Sequence, residues 1–284
     1  MGVEKTMGNG TVRKILMAVL ALVFLFSGSM VLRYQLQQRA VTKQAEEMGQ
    51  WVVTLPVERT EKPAEDSFAE APVQQTPDTP EQETPQEEIA ETAADPVPIR
   101  VDFEALRAKN PDVVAWIYCP DTPINYPVVQ STDNDYYLRR LLDGSKNSSG
   151  TLFLDYRNAA DLTDWNSVIY GHNMKNESMF GTLPNYSAPA YAREHPVIYL
   201  LTPERNYAIR LLAGFVTAAD DELYNALSAR EAEQAQLLEQ WLAASDFDAG
   251  IVPAAEDRLV TLSTCSYAYQ DARYVLIGIL CELD

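Results

Sequence analysis

Residues 259–281 read LVTLSTCSYAYQDARYVLIGILC. Two apolar, β-rich runs flank a polar stretch containing Ser266, Gln270 and Asp271, the pattern of two strands joined by a turn. Adjacent strands lie about 4.8 Å apart, so a hairpin would bring the end of the first run beside the start of the second. Cys265 ends the first run and Arg273 opens the second, so this one pairing sets a permanent cation next to a thiol. A residue at the mouth of a strand is held rigidly yet reaches solvent, which suits a nucleophile.

The same texture recurs upstream. VVAWIYC, INYPVVQ, GTLFLDY, SVIYG, PVIYLL and YAIRLLAGFV are short apolar and aromatic runs bounded by Asp, Asn, Gly or Pro. Helical patterns interrupt them. DFEALRAKN leads into the domain, NDYYLRRLL follows the second strand, and SAREAEQAQLLEQWLAASD is the strongest. In the last, Ser228 is the expected N-cap, Glu231 completes a capping box, and Leu237, Leu238, Trp241 and Leu242 form an apolar stripe. Many short strands with few long crossovers predict a mainly β domain with peripheral helices, an antiparallel or mixed barrel, over residues 99–284.

The N-terminal third has a different character. From Ile15 to Leu32 the chain carries no charge, close to the minimum for a transmembrane helix. Lys5, Arg13 and Lys14 precede the run and favour a cytoplasmic N-terminus over residues 1–14, although Arg33, Arg39 and Lys43 follow it. Ser27, Gly28 and Ser29 also fit a cleaved secretory signal, and both readings place the remainder outside the cytoplasm. Residues 34–48 can continue the helix as a stalk. From Pro56 to Pro98 twelve acidic residues face only Arg59 and Lys62 amid Pro, Thr, Ala and Gln, so residues 33–98 are expected to be a stalk and a disordered, extended spacer between membrane and domain.

A net charge of -19 leaves no basic footprint for a nucleic acid. Three unevenly spaced cysteines, Cys119, Cys265 and Cys281, make no disulfide framework, and no C-x-x-C pair suggests zinc. With only His172 and His195, a multi-histidine metal centre is excluded, and no metal or cofactor is expected. Phosphate loops, G-x-S-x-G elbows and H-E-x-x-H motifs are absent. Nucleophilic chemistry is the remaining enzymatic reading. Cys119 and Cys281 sit inside apolar runs and read as ordinary buried thiols, His195 reads as a strand-entry residue, and His172 sits between a strand and a loop in Tyr170-Gly171-His172-Asn173-Met174.

Three strings then combine. Val168–Met174 (VIYGHNM), Thr261–Cys265 (TLSTC) and Ala272–Val275 (ARYV) resemble, in order and interval, the three catalytic signatures of the class B sortases, the cell-wall transpeptidases of Gram-positive bacteria. The resemblance runs from about Ile99 to Leu283 and includes WIYCPDTPINYPVVQSTDNDYYL and the helix near residues 228–245. Two positions depart from it. Ser266 stands where some relatives carry an acid, so no carboxylate role transfers there, and Cys119 stands where an aliphatic residue is expected.

The resemblance implies an eight-stranded sortase-type β-barrel behind a transmembrane signal-anchor at residues 15–32, with the catalytic domain extracellular. It implies that Cys265 attacks the carbonyl after a Thr in a C-terminal sorting signal, with His172 as acid and base and Arg273 as oxyanion donor. Asn134, Leu138, Tyr170 and Ser263 match groove positions, although Asn134 equally suits an N-cap of DYYLRRLL and Tyr170 an interior aromatic. Surface proteins bearing the sorting signal are the implied clients, and a peptidoglycan precursor or a pilin lysine the implied amine acceptor. A secreted cysteine peptidase that hydrolyses the same bond, and an inert surface-binding barrel, are the competing readings.

Overall fold

The computed structural model describes residues 9–55 and 97–283. Residues 1–8, and the stretch 56–96 to which the spacer expectation chiefly applies, lie outside the described residues.

The elements run α1 (Asn9–Met48), β1 (Val52–Thr54), β2 (Ile99–Val101), α2 (Phe103–Lys109), β3 (Val113–Tyr118), β4 (Asn125–Val129), β5 (Leu152–Leu154), β6 (Asn166–Tyr170), α3 (Pro189–Glu194), β7 (Val197–Leu201), β8 (Asn206–Ala218), α4 (Glu231–Ala244), β9 (Leu259–Cys265) and β10 (Ala272–Leu283). β3 to β10 close an eight-stranded barrel in the order β10-β8-β7-β3-β4-β5-β6-β9. The eight apolar runs of the sequence are the eight staves. Most pairings are antiparallel, while β4 with β5 and β6 with β9 are parallel. The parallel pairs force crossovers, and the β6–β9 crossover carries α3, β7, β8 and α4.

One core fills the barrel, around Ile117, Val128, Leu154, Phe180, Ile209, Leu262 and Leu276. A second covers its outer wall, where α4 lays Trp241 against Trp165 with ring centroids 5.7 Å apart. β9 is sandwiched between these cores. That is why six of its seven residues are buried and why its sequence is nearly continuously apolar or small.

Two local expectations change. NDYYLRRLL forms only a 3₁₀ turn at Tyr137–Arg139. Asp133 Oδ1 accepts from the backbone N–H groups of Asp135 and Tyr136, and Arg140 then turns extended to bridge Lys146, which buries Leu141 and Leu142. Packing of those leucines overrides helical propensity. In the second case, Ser228 ends a 3₁₀ stretch, Glu222–Ser228, and α4 starts three residues later. The Glu233 carboxylate accepts from the backbone N–H of Arg230 and closes that later start. α2 is capped by Asp102, which accepts from Ala105 N–H.

α1 is long and apolar enough to cross a membrane, and its most apolar window has a mean hydropathy of 2.1. Its second half docks on the barrel. Gln37, Ala40, Val41, Gln44, Glu47 and Met48 are shielded at helical spacing, while Arg39, Lys43 and Glu46 stay exposed. Gln44 Oε1 accepts from Leu142 N–H, Gln37 carbonyl oxygen accepts from the Asn147 amide, and Met48 is buried in a third core with Leu106 and Trp116. β1 then pairs with β2, setting Thr54 opposite Ile99.

Candidate active site

The end of β9 is where the chemistry-bearing residues gather. Cys265 and Arg273 are register partners in the β9–β10 ladder. On the other side of β9, β6 runs parallel with Tyr170 opposite Ser263, and the pairing continues through Gly171 N–H donating to the Ser263 carbonyl. Two residues on from this pair come His172 and Cys265, so the imidazole strand and the thiol strand reach the rim in step. Asn173 locks the step by donating from its amide to the Cys265 carbonyl at 2.8 Å, and the Thr264 hydroxyl donates to the Gly171 carbonyl at 2.8 Å.

Gly171 is required by space. A Cβ there would fall 2.5 Å from the Phe180 ring and closer still to Leu152. His172 itself is oriented from across the groove, its Nε2–H donating to the Leu138 carbonyl at 2.7 Å. A carbonyl only accepts, so this bond puts the ring proton of the neutral imidazole on Nε2 and leaves Nδ1 as the basic nitrogen. The Leu138 carbonyl is available because Gly150, at φ +59, lets the chain pass its backbone where a Cβ would come within 2.7 Å of that oxygen.

These residues border a cleft of about 340 Å³, lined by Cys265, His172 and Arg273 together with Asn134, Leu138, Tyr170 and Ser263. All seven residues singled out in the sequence therefore meet at one site. Cys119 is fully buried under β3, Cys281 is half-buried on β10, and His195 ends α3 against the Tyr191 ring, all outside the cleft lining. Among the described residues no group of His, Cys, Asp and Glu is placed to hold a metal ion.

Beneath the cleft lies a network that the sequence did not announce. Asp155, fully buried at the end of β5, accepts from the Asn134 amide, the Tyr170 hydroxyl and two nitrogens of Arg157. Asn134 is thus a groove residue bound to Asp155 rather than a helix cap, and its Oδ1 accepts from Tyr156 N–H. Arg157 also donates to the Tyr224 carbonyl and the Asn225 side chain, tying the 3₁₀ stretch before α4 to the barrel. Tyr224 stacks on Tyr170 and shares a 2.8 Å hydrogen bond with Ser263. Burial pushes the Tyr224 phenol up to about 12, opposed by its Ser263 bond and by the charge of Arg273. The available signal was a carboxylate ending the apolar run GTLFLD, since a buried acid needs a partner and Arg157 stands two residues on.

Residues 117–280 match the family model described as the Sortase domain. Sortase B of Listeria monocytogenes is 33% identical over 182 residues, covering 63% of this chain and 74% of the relative. Among solved structures, the Staphylococcus aureus sortase B–substrate complex superposes with a TM-score of 0.61 at 27% identity, covering 64% of this chain and 85% of that one. Sortase B from Bacillus anthracis in complex with AAEK1 gives a TM-score of 0.59 at 34% identity, with coverages of 64% and 84%.

Proposed function

The chain belongs to the sortase family as a class B cysteine transpeptidase, and on that premise we propose that its reaction runs through Cys265, His172 and Arg273. The thiolate of Cys265 attacks the carbonyl carbon that follows a Thr in a C-terminal sorting signal. The C–N bond breaks, His172 in its imidazolium form protonates the departing amine, and a thioacyl-enzyme is left. A primary amine then attacks that thioester while His172 takes its proton. The new amide leaves and the thiolate is restored. Arg273, always charged and presenting several donors, steadies the oxyanion in both steps.

The observation that carries this reading is the convergence of the three side chains on one cleft, with Arg273 opposite the thiol in the ladder and His172 level with it just beyond the end of β6. Asn134, Leu138, Tyr170 and Ser263 form the wall on which the signal peptide lies. Clients are surface proteins bearing the signal, and the acceptor is an amine of a peptidoglycan precursor or a pilin lysine. α1 serves as a single-pass anchor through residues 15–32, with residues 1–14 cytoplasmic and the catalytic domain, residues 99–284, outside the cell.

The test incubates the chain from Tyr34 onward with a panel of sorting-signal peptides, with and without an amine, and follows products by mass spectrometry. An amine-linked product that disappears in Cys265→Ala is expected. Hydrolysis alone at every amine concentration would make the enzyme a peptidase instead.

A further inference from the structure

The reading of α1 as a membrane anchor leaves open where the barrel rides, and the docked half of the helix supplies a distance. The apolar run ends at Leu32, and the first hydrogen bonds to the barrel are made by Gln37, whose carbonyl holds Asn147 and whose side chain accepts from Ser148. Five helical residues rise about 7.5 Å. The polar headgroup layer on each side of a bilayer is about 5–8 Å deep. Between the two points α1 has no break.

The other route to the barrel adds no length. Leu55 N–H donates to the Pro98 carbonyl, and Thr54 lies opposite Ile99, so the chain leaves for residues 56–96 and returns at one strand pair. The charge of the docking region also differs from that of the chain. Arg33 and Arg39 on the helix, and Arg139 and Lys146 around the loop, are exposed cations, against Asp143 within it. In a protein of net charge -19 this is a surface that an anionic layer attracts.

Resting on the anchor reading, we propose that α1 holds the barrel directly against the membrane, with the 143–148 loop among anionic phospholipid headgroups, and that residues 56–96 do not set its height. The loop leads into β5, whose Phe153 pairs with Tyr170, so the cleft lies at the same end of the barrel as the loop. The groove therefore opens close to the bilayer surface.

The experiment uses the full chain in vesicles containing phosphatidylglycerol, with the photoreactive residue p-benzoylphenylalanine placed at Lys146 or at Glu256. Glu256 precedes β9 and so lies at the end of the barrel away from Cys265. Mass spectrometry counts lipid adducts after illumination. The expected result is a several-fold excess at position 146, unchanged when residues 58–95 are deleted and reduced to the level of position 256 by Val41→Asp on the docked helix face. Equal adducts at the two positions, in protein that stays with the vesicles through an alkaline wash, would overturn the inference while leaving the anchor intact. Protein removed by the wash would overturn the anchor reading and the inference together. Undiminished adducts in purely zwitterionic vesicles would overturn the role given to anionic headgroups.

Discussion

The Tyr170 hydroxyl donates to the fully buried carboxylate of Asp155 at 2.9 Å, joining a wall of the cleft to the charge beneath it. Burial alone would raise the Asp155 pKa. Hydrogen bonds from Arg157, Asn134 and Tyr170 outweigh that and hold it below the ordinary carboxylate value. A depressed folded-state pKa contributes stability above the unfolded value of about 3.9, and that contribution is lost as pH falls through the folded value. Thermal melts of the native chain should therefore weaken below about pH 4. Asp155→Asn should lack this component, being less stable at neutral pH by on the order of 3–5 kcal/mol, with a flatter acid limb. Equal neutral-pH stability would remove Asp155 from the support of the cleft.

The pairing of Cys265 with Arg273 sets expectations for two substitutions. Cys265→Ala should abolish both cleavage and transfer. Arg273→Lys keeps the charge but loses the guanidinium fork, and should reduce kcat/KM by roughly 100-fold or more, the usual cost of a lost oxyanion donor. Near-normal turnover by Cys265→Ala would end the assignment of the nucleophile. Robust turnover by Arg273→Lys would end only the oxyanion role.

Gly171→Ala tests whether His172 depends on its strand position. The added methyl has no room between Phe180 and Leu152, so the end of β6 must shift. We expect kcat to fall at least about 10-fold, the scale on which small misplacements of reacting groups act. Alkylation of Cys265 by a small reagent should continue, since the thiol stays on β9. Unchanged kcat would show that the rim tolerates displacement.

The docked helix also contributes to the fold. A fragment beginning at residue 99 loses Met48 and Trp51 from the third core and loses the β1–β2 pair, whereas one beginning at Tyr34 keeps them. Burial of one such side chain is worth about 2 kcal/mol. In a domain of this size the shorter fragment should melt roughly 4–8 °C lower. Coincident melting curves would show that the helix is carried by the barrel without supporting it.

How much of this could be read in the chain depended on distance. The barrel staves were legible because each is a short apolar run between turn residues, and Cys265 with Arg273 because a hairpin is a local object. His172 was found through its surrounding string, since the parallel register that brings β6 to β9 has no local signature. Asp155 and Tyr224 escaped for the same reason, as their partners come from separate elements. The shortened helix at Tyr137–Arg139 and the later start of α4 show burial of Leu141, Leu142, Leu223 and Leu227 overriding local propensity.

The parallel seam between β6 and β9 also governs when the rim of the cleft is complete. Its two strands are separated in the chain by most of the barrel, and contacts of such long range form late because the intervening loop must close first. Until it closes, Cys265 has Arg273 beside it through the local β9–β10 hairpin but lacks His172, which reaches the rim only with β6. The meeting of imidazole and thiol is therefore a product of barrel closure rather than of any local segment, a property of the topology itself.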